Sequence, residues 1–167
     1  MNKKGNMAKK AMAENVKKTG SRHPFSDPED HPGFLMWQLG MLWQRKIKSG
    51  LDTIGITHAQ FLLLASLDFV STQKNIITQQ DIARHCRIDK MMTSKILRIL
   101  QKKGLLLRKK NKMDSRAKTL ALSDSGIEVL TRAYKIIENT DGDFLVPLGL
   151  NSMTFTDDMR NLLVSNS

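Results

Sequence analysis

The stretch of this 167-residue chain that most restricts its fold runs from Thr78 to Leu122. It begins with two short segments of helical periodicity, TQQDIARHC and DKMMTSKILRILQKKG, which leave almost no room for a linker between them. Two short apolar segments follow, and the basic octapeptide NKMDSRAK separates them. A helix pair followed by a hairpin with a charged tip is the plan of a winged helix-turn-helix.

The ends of these segments carry clear capping signals. Thr78 is a favourable N-cap residue, Asp81 places a negative charge in the first turn, and Asp89 is placed to cap the second helix. Gly104 stands where a helix C-cap requires a positive φ. The second helix should bury one face and expose a mainly cationic one. We predict a buried face of Met92, Ile96, Ile99 and Leu100, and an apolar stripe of Ile82, Ala83 and Cys86 on the first helix.

Positive charge is concentrated in the second helix and the hairpin. Ten Lys or Arg residues lie between Lys95 and Lys118, against one acid, Asp114. A surface that faces phosphates needs this balance, so double-stranded DNA is the predicted partner. The second helix would enter the major groove and the wing a flanking groove. The predicted helix contacts are Lys90, Thr93, Ser94, Lys95 and Arg98, and the predicted wing contacts are Arg108, Lys109, Lys110, Lys112, Asp114, Arg116 and Lys118.

Residues 92–126, MTSKILRILQKKGLLLRKKNKMDSRAKTLALSDSG, resemble the recognition helix, wing and following helix start of MarR-type bacterial transcriptional regulators. The specific parts are KKG followed by an apolar strand, and the wing element Asp114-x-Arg116. The resemblance implies that Arg116 enters the minor groove and that Asp114 orients the basic side chains of the wing. It extends weakly from about residue 33 to residue 163. The family often has an arginine where this chain has Ser94, so Lys95 and Arg98 are the alternative base readers.

The segments that flank this core also have helical patterns. Thr57 should cap a helix that is apolar nearly all round, and Ser123 should cap another. The segments from about Phe34 to Ile47 and from Phe155 to Leu163 have more apolar surface than one small domain needs, which predicts an intertwined homodimer; packing onto the core of a monomer is the alternative. We therefore predict a mainly α fold with a small β-hairpin. Its parts would be a disordered basic tail (1–25) and one winged-helix domain (26–167), with a DNA-binding core at about 57–122 and dimerisation helices at about 33–50 and 123–167.

The net charge of +11 is unevenly distributed. Residues 1–23 hold seven basic residues and only Glu14 as an acid, a balance of +6, without apolar periodicity. A solvated tail and a phosphate-binding arm are both open readings. The single Cys86 suits a reducing compartment, and no run of 18 apolar residues exists. A cytoplasmic protein with no membrane partner is expected, and the resemblance implies a bacterial one that associates with the nucleoid when bound.

Catalytic sites are not favoured by this sequence. The four histidines show no metal-ligand spacing, and no glycine-rich phosphate loop is present. Cys86 is adjacent to His85, but neighbouring helix residues point about 100° apart and Cys86 lies in the apolar stripe, so a small buried hydrophobe is the better interpretation. We predict no enzyme activity, no catalytic residue, no metal and no cofactor.

Two functions remain open at this point. The first is a sequence-specific transcriptional regulator, expected to be a repressor that binds a pseudo-palindromic site. The resemblance also implies a small aromatic effector. Trp37, Trp43 and Arg45 could line its pocket. Large aromatic residues at helical spacing are more often part of a core, so no ligand residue is assigned. The second function is a winged-helix module that binds nucleic acid or protein without reading sequence. The exposed face of the 90–103 helix should discriminate: Met91 is the one exposed apolar residue predicted there, whereas a protein-docking face would be apolar.

Overall fold

A computed structural model describes residues 31–110 and 118–166, without the side chains of residues 109, 110 and 118. The chain divides into two compact units, residues 1–45 and 46–167, each described by itself. The predicted mainly α fold with a small hairpin is confirmed, while the predicted tail and wing tip (residues 111–117) lie outside the described residues. In chain order the elements are α1 (Pro32–Asp52), α2 (His58–Ser71), α3 (Gln79–Cys86), α4 (Lys90–Lys102), β1 (Leu106–Lys110), β2 (Lys118–Leu122), α5 (Asp124–Leu145), a 3₁₀ helix (Val146–Asn151) and α6 (Ser152–Ser165).

The predicted helix starts are confirmed by hydrogen bonds at the caps. Before α2, the Thr57 hydroxyl accepts a bond from the Gln60 backbone N–H at 3.2 Å, and the Gln60 side chain accepts one from the Thr57 backbone N–H at 3.3 Å. Ser123 caps α5 by accepting a bond from the Gly126 N–H at 3.0 Å. Each cap satisfies amide groups that the first turn of a helix leaves without partners, and each contributes about 1 kcal/mol.

The core of the second unit is built around α2. This helix contacts α3, α4, β2 and α5, and its Leu63, Leu64 and Leu67 are fully buried. Burying each such side chain stabilises the fold by about 1.5–3 kcal/mol. The sequence predicted α2 to be apolar nearly all round, which favours burial, but Leu62 is 39% and Phe69 50% exposed. One face of α2 is therefore left uncovered within this chain.

The hairpin pairs β1 with β2 in antiparallel register, with Leu106 opposite Leu122 and Arg108 opposite Leu120. The Leu120 backbone N–H also donates to the Ile77 carbonyl at 2.9 Å, which connects the hairpin to the segment before α3. Leu106 and Leu120 are buried, whereas Leu107 is exposed, as strand alternation requires. Leu106 and Arg108 therefore lie on the inner side of β1.

Two glycines shape the approach to the hairpin and the exit from it. Gly104 has a φ of +73°, so it ends α4 in the left-handed conformation that the sequence predicted. A Cβ atom at Gly126 would lie 2.1 Å from the Leu105 carbonyl oxygen. The first turn of α5 thus packs directly onto the backbone that leads into β1.

Exposed apolar side chains are concentrated in two places. In the 3₁₀ helix and α6, Leu150, Met153 and Leu162 are all more than half exposed, and no residue of α6 is buried. In the first unit, Met36 and Trp37 are more than half exposed, and the Trp37 ring stacks on Phe34 at a centroid distance of 5.9 Å. Within 31–110 and 118–166, no helix has the length and apolarity needed to cross a membrane.

Candidate nucleic-acid interface

The turn between α3 and α4 has three residues, beginning at Arg87. Arg87 adopts the left-handed conformation (φ 52°), and the Ile88 backbone N–H donates back to the Ala83 carbonyl at 3.1 Å. Asp89 then caps α4, as predicted, by accepting a bond from the Met92 N–H at 2.9 Å. This geometry matches the short turn of a helix-turn-helix, with an arginine in the conformation that glycine often adopts there.

A second set of contacts fixes α3 at its start. The Asp81 carboxylate accepts bonds from the Thr78 backbone N–H at 2.7 Å and from the Thr78 hydroxyl at 2.6 Å, and it pairs with Lys74 at 2.5 Å. Partial burial by itself would raise the pKa of Asp81, but the bonds from Lys74 and Thr78 outweigh it and lower the pKa to about 2. The Gln79 side-chain amide also donates to the Lys90 carbonyl at 3.4 Å. Of these contacts, the bond from Gln79 joins the start of α3 to the start of α4, and the others hold the first turn of α3.

The buried face of α4 differs from the predicted one. Met92 was predicted to be buried, yet it is 51% exposed. Thr93 was predicted to contact DNA, but this assignment is wrong because its side chain is fully buried and its hydroxyl donates to the Asp89 carbonyl at 2.9 Å. That internal bond satisfies the hydroxyl and leaves the methyl group to pack in the core. The buried residues of α4 are Thr93, Ile96, Leu97 and Leu100.

The opposite face of α4 is mainly cationic and open to solvent. Lys95, Arg98 and Lys102 are exposed and follow one another at spacings of three and four residues, so they form one stripe along the helix. We call these three residues the α4 cationic stripe. Lys102 was not among the predicted DNA contacts, although its helical spacing from Lys95 and Arg98 places it on the same face and could have predicted it. Lys90 is also exposed, at the start of the helix, whereas Ser94 is half-buried at the edge of this face.

Lys103 shows that basic residues next to the stripe have other roles. Its ammonium group donates to the Gly55 carbonyl at 2.6 Å and to the Gln60 side-chain oxygen at 3.1 Å. Gln60 belongs to the capping box of α2, so Lys103 ties the end of α4 to the start of α2. This lysine stabilises the core rather than extending the cationic face.

Arg108 lies on the inner side of the hairpin, opposite the buried Leu120, and is half-buried. Its Nε and Nη2 atoms are buried and have no hydrogen-bond partner among the described residues. Burial, and then the positive charge of Arg98, lower the pKa of the Arg108 guanidinium. Burying guanidinium N–H groups without hydrogen-bond partners is costly, and a second cation nearby increases that cost. An anion placed against both arginines would relieve it.

The remaining wing residues are described only in part. The backbones of Lys109, Lys110 and Lys118 take part in the hairpin, where Lys110 pairs with Lys118, but their side chains are not described. Lys112, Asp114 and Arg116 lie outside the described residues. Their predicted roles remain predictions.

His85 and Cys86 contact α2 through their side chains and take no part in the α4 cationic stripe. The Ser66 hydroxyl and the His85 Nδ1 atom are hydrogen-bonded, and the Phe69 ring lies 5.0 Å from the His85 ring. The half-buried Cys86 thiol donates to the Leu62 carbonyl at 3.6 Å, and burial raises its pKa. A thiol with a raised pKa is a poor nucleophile at neutral pH. The described part of the chain also contains no group of three side chains able to hold a metal ion.

Residues 56–118 of the chain match the sequence model of the MarR family. The chain is also 36% identical over 139 residues to YdcH of Bacillus subtilis, an uncharacterized HTH-type transcriptional regulator, and the match covers 83% of this chain and 94% of that protein. The chain belongs to the MarR family. The family identification suggested by the wing and recognition-helix residues is therefore confirmed.

Solved structures show the same fold. The Staphylococcus aureus MepR–DNA complex has a TM-score of 0.71 at 22% identity and covers 84% of this chain and 100% of its own. CouR of Rhodococcus jostii, bound to p-coumaroyl-CoA, has a TM-score of 0.71 at 20% identity and covers 84% of this chain and 94% of its own. The protein is thus a MarR-family transcriptional regulator with a winged helix-turn-helix fold.

Proposed function

We propose that this MarR-family protein is a sequence-specific DNA-binding repressor that acts as a homodimer on a pseudo-palindromic site. In this proposal α4 enters the major groove and the hairpin lies over the flanking backbone. The observation that carries it is the α4 cationic stripe, which lies opposite the buried face of α4 and near the Arg108 guanidinium, whose Nε and Nη2 atoms have no partner among the described residues. MepR and CouR, which share the fold, have been solved as DNA complexes, and CouR is described as a transcriptional repressor.

Along the exposed face of α4 we assign different roles to different positions. Lys95 and Arg98 lie in the middle of the exposed face, where a lysine or arginine can bond to guanine O6 and N7. Lys90 and Lys102 lie at the two ends of the helix and are assigned to phosphates, which flank the groove on both sides. The half-buried Ser94 is assigned a minor role, because only part of its side chain is accessible.

Arg108 is assigned to one DNA phosphate shared with Arg98. A guanidinium forms paired hydrogen bonds to phosphate oxygens, and such bonds would satisfy the buried Nε and Nη2 atoms, which have no partner in the described part of the chain. Arg116 keeps its predicted minor-groove role, with Lys109, Lys110, Lys112 and Lys118 as backbone contacts and Asp114 as their orienting acid. Arg108→Gln should weaken binding to every duplex, whereas loss of a base-reading side chain should reduce the sequence preference at particular base pairs.

The test begins with selection of duplexes from a random pool by the full-length protein. A regulator should prefer the selected pseudo-palindrome over random duplex by three orders of magnitude or more. Arg98→Ala should lose about 1–3 kcal/mol of binding free energy and relax the preference at one base position per half-site. Lys135→Ala is the matched control, because it removes an exposed positive charge from α5 rather than from α4. Equal affinity for selected and random duplexes would favour the alternative, a module that binds without reading sequence.

The homodimer is supported by the exposed apolar side chains of the 3₁₀ helix and α6. Exposed apolar surface such as that of Leu150, Met153 and Leu162 is normally buried against a partner. A two-fold symmetric dimer would bury it and would also present a second recognition helix to the other half of a palindrome. Light scattering at micromolar concentration should give about twice the chain mass of 18.9 kDa. Leu162→Lys should shift this mass toward the monomer, while Leu107→Lys, at an exposed leucine of the hairpin, should not. A monomeric wild type contradicts the proposal.

Effector control is proposed on the precedent of CouR, which was solved with p-coumaroyl-CoA. A small aromatic compound that changes the angle between the two halves of a dimer would alter the spacing of the recognition helices and release DNA. The second unit has a cavity of about 340 Å³ whose lining does not include Trp37 or Trp43. Its lining residues are Lys46, Ser49, Gly50, Thr53, Thr140 and Asp143. Titration of the protein–DNA complex with p-coumaroyl-CoA and a panel of phenolic acids should identify a releasing compound, and a uniformly inactive panel would oppose this part of the proposal.

A further inference from the structure

Met91 is an apolar side chain on a mainly cationic face. It lies in the first turn of α4 and is 84% exposed, more than any other large apolar residue in the described parts of 53–145. Lys95 follows it by one turn and Arg98 by two, so Met91 belongs to the same exposed face as the α4 cationic stripe. A long apolar side chain is thus held open to water in the middle of the surface assigned to DNA.

The chemistry of methionine narrows what Met91 can recognise in a major groove. Its thioether has no hydrogen to donate and is a weak acceptor, so it cannot distinguish bases by hydrogen bonding. The major-groove edge of thymine carries the one apolar group there, the C5-methyl. Residues at the start of a recognition helix are also those that approach the base edges. Thymine is therefore the base that a methionine in this position fits.

We propose that Met91 determines specificity by packing against the C5-methyl group of a thymine in each half-site. The inference rests on the proposed function, since it requires α4 to lie in the major groove. The neighbours of Met91 favour DNA over a protein partner: Lys90, Lys95 and Arg98 are exposed cations that would stay unpaired in an apolar interface. A polyanion neutralises them and brings a methyl group to the methionine at the same time.

The probe is a duplex from the random-pool selection in which single thymines are replaced, one at a time, by uracil. This change removes the C5-methyl and leaves base pairing and hydrogen-bonding groups intact. We expect one position per half-site where uracil weakens wild-type binding about four-fold, the effect of leaving one methyl group unburied. Met91→Ala should bind the thymine and uracil duplexes equally, and Met91→Leu should retain much of the discrimination.

Met92→Ala is the matched control, because Met92 is also exposed but lies about 100° around the helix from Met91. It should keep the wild-type preference for thymine. The proposal is overturned if wild type is insensitive to uracil at every position, if Met91→Ala still discriminates, or if the selected half-sites contain no thymine. These results leave a preference for selected over random duplex intact, whereas loss of that preference would refute the proposed function and this inference together.

Discussion

Replacing Asp81 by asparagine should lower the free energy of unfolding by about 1–2 kcal/mol at neutral pH. The substitution keeps a side-chain oxygen that can accept the bond from the Thr78 backbone N–H but removes the charge that faces Lys74. The native pKa of about 2, against an ordinary 3.8, corresponds to about 2.4 kcal/mol at about 1.36 kcal/mol per pKa unit. This figure is a ceiling, because the Lys74 side chain is 41% exposed and solvent screens the pair.

The pH dependence identifies the charge as the cause. Because folding lowers the pKa of Asp81, its contribution is complete above pH 3.8 and is lost as the pH falls through about 2. Urea unfolding, followed by far-ultraviolet circular dichroism, should therefore show a constant difference between wild type and Asp81→Asn from pH 7 to pH 5. The difference should shrink between pH 4 and pH 2 as the wild-type carboxylate becomes protonated.

The matched control is Asp124→Asn, which makes the same chemical change at an exposed first-turn acid of α5. It should change the free energy of unfolding by less than about 0.5 kcal/mol. The reasoning is refuted if Asp81→Asn is as stable as wild type at pH 7. A difference that persists unchanged to pH 2.5 would refute it too, since the loss would then come from packing rather than charge.

Four further substitutions test other parts of the structure. Gly126→Ala should lower the free energy of unfolding by about 1–3 kcal/mol, because the new methyl group meets the Leu105 carbonyl. Gly142→Ala, in open space on the same helix, should raise it by about 0.5–1 kcal/mol, and urea titrations measure both. Arg87→Gly should raise the midpoint of thermal unfolding, because it removes a left-handed strain of about 1 kcal/mol; an unchanged or lower midpoint would contradict this. Burial lowers the pKa of His58, because a charged imidazolium is disfavoured in the fold. The free energy of unfolding should therefore be unaffected by His58 above pH about 6.5, the pKa in the unfolded chain, and should decrease as the pH falls below that value. His58→Gln should flatten that loss between pH 7.5 and pH 5.5, and parallel profiles for variant and wild type would oppose the assignment.

Local chemistry made several features of this fold predictable from sequence. Thr57, Thr78 and Ser123 cap helices through bonds to residues three positions away, and Gly104 ends α4 with a positive φ. Such interactions depend on a few neighbouring residues, so short sequence patterns contain them. The hairpin and the MarR-type recognition helix follow in the same way, since their spacing is set by strand and turn geometry.

The orientation of α4 could not be obtained from its own sequence. Met92 and Thr93 are adjacent, and hydrophobicity alone favours burying the methionine. The structure instead buries Thr93 and exposes Met92. Thr93 can be buried because its hydroxyl donates to the Asp89 carbonyl and so keeps a hydrogen-bond partner. The choice is made by the surface that α4 packs on, which consists of residues distant in the sequence.

The cationic surface divides in the same way between sequence and tertiary structure. Sequence by itself determined that positive charge would gather on α4 and the hairpin, and that a winged helix-turn-helix of the MarR family would carry it. Tertiary structure decided how individual cations are placed. Lys103 donates to Gly55 and Gln60, more than 40 residues away, whereas Arg108 is half-buried near Arg98, and its Nε and Nη2 atoms have no partner among the described residues. The physical reason is range, since capping and turn chemistry act within about four residues, whereas burial and ion pairing join groups that only the folded chain brings together.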